Sequence, residues 1–104
     1  MPRRIVLGLL VVVLALVLVA CARRLPPPAT AADAERSQVP LAELEQGRKL
    51  VLAKCGRCHD TPLPADRTAT EWPAMVGKMA ERSKLSGDER SLIERYLVAM
   101  TARP

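Results

Sequence analysis

Residues 41 to 59 read LAELEQGRKLVLAKCGRCH. The part from Leu41 to Cys55 is rich in helix formers, and Leu44, Gly47 and Val51 fall on one face with Leu50 and Lys54 beside them. A helix is therefore expected to run from Leu41 into the cysteine motif. Beyond it, Pro62 and Pro64 mark residues 60–67 as a loop. A second helix is expected from Thr70, whose hydroxyl can cap it, with Pro73 in a first turn where a missing N–H costs nothing. Its Trp72, Met75 or Val76, and Met79 recur at helical spacing. Ser86 and Glu89 have the spacing of a capping box that opens a third helix. In that helix Leu92, Ile93, Tyr96, Leu97 and Met100 make one apolar stripe. No segment alternates with period two for long enough to be a strand, so the fold class is all-α.

Upstream of Leu41 the composition changes twice. Residues 22 to 40 hold Pro26, Pro27, Pro28 and Pro40 among alanines and small polar residues, without apolar period, and read as a tether. Residues 5 to 20 read IVLGLLVVVLALVLVA, sixteen apolar residues in a row after Arg3 and Arg4. This is the layout of an export signal, with its basic end left in the cytoplasm. The run accounts for much of the 49% apolar content of the 104-residue chain; the rest of the chain is polar, with one Trp, one Tyr and no Phe. A remainder that small and that poor in aromatic rings is expected to need a disulfide, a metal, a cofactor or a partner.

Leu18-Val-Ala-Cys21 resembles a bacterial lipobox, which implies cleavage before Cys21 and lipidation of its sulfur. An uncleaved anchor and ordinary cleavage after Ala22 remain open, and in each version the rest of the chain is exported. The expected divisions are thus a signal peptide over 1–20, a lipidated Cys21 with a flexible tether over 21–40, and a folded domain over 41–104. Fourteen of the sixteen basic residues and all eleven acidic ones lie after Cys21, which leaves a mild +3. Nucleic acid is not an expected partner at that charge outside the cytoplasm.

Cys55-Gly-Arg-Cys58-His59 carries the chemistry. Two thiols three positions apart on one helical face can reach the two vinyl groups of a haem, and the next residue brings an imidazole under the iron; C-x-x-C followed by His reads as c-type haem attachment. The competing readings lack parts. Zinc would need a fourth ligand, since the domain offers only Cys55, Cys58 and His59 in this pattern. A thioredoxin-like pair would need a strand leading into it. A structural disulfide would leave His59 beside it by chance.

With Gly47, Leu50 and Val51 before the motif, Trp72 to Met79 after it, and Leu92, Ile93, Tyr96 and Leu97 at the end, the chain resembles small class I c-type cytochromes over about 60 residues. The resemblance implies a compact three-helix fold around one covalent haem c, held by Cys55, Cys58 and His59. It also implies that Gly47 packs against Tyr96, a glycine letting two helices cross closely under a ring. Within Trp72-Pro-Ala-Met-Val-Gly-Lys-Met79, the resemblance places the sixth iron ligand at Met79; Met75 and Met100 are the other methionines of the domain. The interval from His59 to Met79 is shorter than in many members. Trp72 is expected either at the haem edge or as plain core, and Arg57, Lys78, Arg82 and Lys84 either as a docking ring for an acidic partner or as solvated charge.

The expected function is one-electron transfer by an exported, membrane-anchored monohaem cytochrome in the periplasm or on the outer side of the cell membrane. It serves redox partner proteins as a free carrier or as a subunit of an oxidoreductase, and is not an enzyme itself. The alternative is a haem-based gas or redox sensor, or a weak peroxidase, with an open sixth position. If Cys21 carries the lipid, Cys21→Ser loses incorporation of labelled fatty acid, whereas equal labelling of both proteins would move the modification elsewhere.

Overall fold

The computed structural model describes residues 2–22, 25–56 and 61–104. Among them it holds five α-helices and no strand: α1 (Pro2–Ala22), α2 (Ala31–Ser37), α3 (Leu41–Leu50), α4 (Trp72–Ser83) and α5 (Gly87–Thr101). A π-helical turn, Val51–Cys55, continues α3, and a 3-10 turn, Pro64–Asp66, precedes α4.

The body is built on the crossing of α3 and α5. A Cβ on Gly47 would overlap the carbonyl oxygen of Leu92 and stand 2.8 Å from the Cβ of Tyr96. Only a bare Cα lets the two backbones approach this closely, and the expected pairing of Gly47 with Tyr96 is present. Around the crossing, Leu44 and Val51 of the α3 segment meet Ile93, Tyr96 and Leu97 of α5, all at 0% exposure. Trp72 and Val76 of α4 close the core from another side, together with Cys55 and Met100.

The helix ends obey local chemistry. At α5, Ser86 Oγ accepts the N–H of Glu89 at 3.1 Å and Glu89 Oε1 accepts the N–H of Ser86 at 3.1 Å, the expected capping box. At α4 the expected cap is corrected: Thr70 does not cap it. Instead the N–H and O–H of Thr68 donate to the Glu71 carboxylate at 2.8 and 2.9 Å, while the Thr68 carbonyl accepts the N–H of Trp72. These donors hold the Glu71 carboxyl below the usual carboxylate range, the Thr68 N–H foremost.

Residues 21–40, expected as a flexible tether, differ most from expectation. From Pro26 onward they form an ordered strap, so the folded body begins near Pro26 and includes a fourth helix beside the expected three. Thr30 caps α2 with a reciprocal box, its N–H donating to Asp33 Oδ2 at 2.8 Å. The strap is fastened by polar bonds: Arg48 Nε donates to the Pro26 carbonyl at 2.9 Å and Tyr96 Oη to that of Pro27 at 2.6 Å. The N–H of Ala29 donates to Glu45 at 2.8 Å. Buried Asp33 accepts from both Arg36 and Arg103. An apolar period cannot reveal a segment held in this way.

α1 is a different object. Its 21 residues would span about 31 Å at 1.5 Å per residue, near the thickness of a bilayer's hydrocarbon core. An 18-residue window within Pro2–Cys21 has a mean hydropathy of 3.0, and none of that window is buried. The chain thus carries an N-terminal apolar helix of the length and character of a signal sequence or a membrane anchor.

Tyr96 supplies a pH test. Burial pushes its phenol up to about 12. An unfolded tyrosine ionises near pH ~10, so the stability this group contributes is intact below that pH and is lost as the pH rises toward the folded value. Because Tyr96 is the only tyrosine, an ultraviolet titration should show the native phenolate appearing about two pH units later than in denatured chain. Coincident titrations would show that the ring is not held as described.

Candidate functional site

The π turn delivers Cys55. In Val51–Cys55, Val51 and Cys55 point into the core while Leu52 and Ala53 face outward. Lys54 pairs with Glu89, so the turn is fastened to the start of α5. Glu89 is held below its ordinary range, first by Lys54 and then by the Ser86 N–H. Cys55 is 6% exposed, and burial raises its thiol above the usual cysteine value. Gly56 and Thr61 then come together, a Cβ on Gly56 standing 2.7 Å from Thr61 Oγ1. Arg57, Cys58 and His59 lie between them, outside the described residues.

A cavity of about 440 Å³ opens between the loop after Thr61 and α4, and Cys55 is not in its described lining. Pro62, Trp72, Met75 and Met79 give it an apolar wall, and Asp66, Arg67, Lys78 and Arg82 give it a charged one. Met75 and Met79 sit one helical turn apart on α4 and both pack against the core that contains Cys55. Met100 goes elsewhere: it is 5% exposed in the core, with its sulfur 4.0 Å from Arg103, and does not line the cavity. Two of the three domain methionines are thus brought to the cavity.

Trp72 is core, at 1% exposure, with one edge on the cavity. Its indole N–H donates to the Pro64 carbonyl at 3.1 Å and to Thr101 Oγ1 at 2.9 Å, so the ring ties the loop wall to the end of α5. Of the basic residues singled out in the sequence, Lys78 and Arg82 line the cavity. Lys84 does not; it takes the left-handed conformation (φ 53°) at the end of α4. Arg67 and Asp66, which the sequence did not single out, stand on the loop wall. Their only signal was position, between the prolines of the loop and the tryptophan that pins it.

The donor types fit a covalently held haem: a buried thiol at the end of a helical turn, a second thiol and an imidazole within the next four residues, and two thioethers on a facing helix. The cavity falls within the 300–1,000 Å³ common for cofactor sites. Among the described residues no three His, Cys, Asp or Glu side chains converge as a cage for a bare metal ion. Comparison with protein-family models, characterised proteins and solved structures returns no match for this chain.

Trp72→Phe removes both indole hydrogen bonds and keeps most of the packing. A loss of about 1–3 kcal/mol in denaturant unfolding is expected, with faster amide exchange in residues 61–67. Unchanged exchange there would show that the indole does not hold the wall.

Proposed function

We propose that the chain is a membrane-anchored monohaem c-type cytochrome that carries one electron at a time between redox partner proteins. The observation that carries this reading is that Cys55, the first residue of the Cys-x-x-Cys-His sequence, ends the π turn and packs in the cluster against which two cavity-lining methionines lie. Cys55 and Cys58 would hold the haem by thioethers, His59 would be the proximal ligand and Met79 the distal one. Bound in this way, the haem supplies a one-electron Fe(III)/Fe(II) couple, and thioether ligation favours the reduced form.

The protein's own contribution is a dry wall and a charged rim. The core around Val51, Trp72 and Val76 excludes water from one side, and the Trp72 indole fixes the loop wall opposite α4. Among the described lining residues, Arg67, Lys78 and Arg82 stand against one carboxylate, Asp66, and present positive charge at the mouth. Such a rim speeds encounter with an acidic partner more than it tightens the complex. The apolar helix α1 and the Leu18–Cys21 pattern support export and retention at a membrane.

Protein exported through a cytochrome c maturation system should be heavier by one haem, and replacing Cys55 or Cys58 should weaken the attachment; an unmodified wild-type mass under those conditions overturns the reading. Reduced wild type should show an absorption spectrum unaltered by carbon monoxide. Met79→Ala should admit the gas, lower the potential and abolish the weak long-wavelength band of Fe(III)–thioether coordination. Gas binding by wild type would favour the sensor alternative, and loss of the band only in Met75→Ala or Met100→Ala would move the ligand to that residue.

A further inference from the structure

The apolar helix α1 ends at Ala22, and the fastened part of the chain begins at Pro26, whose side chain is fully buried. Four Cα steps separate the two residues, and five separate Pro26 from Cys21. By covalent geometry alone, Pro26 lies within about 14 Å of the one and about 18 Å of the other. Were the chain free as far as Leu41, the nineteen steps from Ala22 would allow about 65 Å at full stretch.

The strap withholds the other fifteen steps. Pro26 and Ala29 pack inward, and the carbonyls of Pro26, Pro27 and Pro28 accept from Arg48, Tyr96 and Arg103. Glu45 accepts the Ala29 N–H. Asp33, 1% exposed, accepts from Arg36 and from Arg103, and Arg36 also donates to the Ala99 carbonyl of α5 at 3.0 Å. The fastenings thus run from the first residue of the strap to the last turn of α2, and they end on α3, on α5 and on the residues that follow α5. Held along its whole length, the strap lends none of that length to the leash. Only at Gln38, exposed and in the left-handed conformation (φ 57°), does the chain turn toward α3.

We propose that the strap is a tether-shortener, which takes fifteen residues out of the leash and keeps the body at the surface of the membrane that anchors the chain. The inference rests on the anchoring part of the proposed function and not on the haem. No contact between strap and lipid is needed, because the covalent leash alone sets the height. A flexible chain of four residues has a typical span of about 11 Å, and one of nineteen about 24 Å. Held so low, the body meets its partner by diffusing in the plane of the membrane. The partner that fits is therefore one seated in the same bilayer, and not one fixed farther out than leash and body together reach.

Full-length protein in a supported phosphatidylcholine bilayer, measured by neutron reflectometry, should show the near edge of the body within about 18 Å of the headgroups. Two insertions of twenty Gly/Ser residues then locate the free part of the chain. Placed between Arg24 and Leu25, the insertion lengthens the leash and should raise the mean gap to about 27 Å, roughly two and a half times its wild-type value. Placed between Gln38 and Val39, it lies beyond the fastenings, forms a surface loop and should leave the height unchanged, with helix content checked by circular dichroism. Equal lifting by the two insertions, or a wild-type body standing well beyond 18 Å, overturns the inference while leaving the anchor intact. Loss of the chain from the bilayer defeats the anchoring reading, and this inference with it.

Discussion

Gly47 lets the backbone of α3 lie against the Leu92 carbonyl and the Cβ of Tyr96, and that contact sets the spacing of the two helices on which the body is built. With α3 and α5 so close, Leu44, Val51, Ile93, Tyr96 and Leu97 are all fully enclosed. Tyr96 is then carried past the crossing, so that its hydroxyl meets the Pro27 carbonyl on the far side. Continued by its π turn, α3 brings Cys55 to Trp72 and Val76. A chain with only two aromatic residues compensates for its small core by close backbone approach.

The helical layout is legible from residue 41 onward because it is written in apolar period and caps. Leu44, Gly47 and Val51 lie on the buried face, and Ser86 with Glu89 closes the box at α5. Local competition misleads at α4, where Thr68 and Glu71 satisfy each other and leave Thr70 unused as a cap. The strap escapes a reading of the sequence for a more general reason. Thr30 and Asp33 do carry a capping signal, but the segment is fastened by a buried carboxylate with two arginines, one of them distant, and by carbonyls that accept from side chains on α3 and α5. Such long-range polar pairing has no period to read.

The strap bonds have their own electrostatic logic. Arg103 foremost, with Thr30 and Arg36, outweighs burial and holds the Asp33 carboxyl well below the ordinary range. Asp33 is therefore charged in the folded protein at any neutral or mildly acidic pH. Its stabilising contribution is complete above the unfolded value of about 3.9 and is lost only as the pH falls toward the lower folded one. The strap is thus set for permanent fastening under ordinary conditions and not for release by mild acid. At the candidate site, residue types and spacing are readable, but the charged wall is not, because Asp66 and Arg67 reach the cavity through the loop that Trp72 pins.

The π turn that continues α3 holds an extra residue without altering the rotational phase of the chain beyond it. A turn closed by i→i+5 bonds accommodates about one residue more than an α-turn. Each residue of a regular helix advances the side-chain direction by about 100°. Deleting Leu52 or Ala53, both outward-facing and unused by the core, would let the segment relax to an ordinary α-helix. Because an α-turn holds about one residue fewer than a π turn, the shortened segment would still deliver Cys55 toward Trp72 and Val76. The π turn thus takes up one residue beyond what an α-helix needs while leaving the first thiol of the motif facing the core.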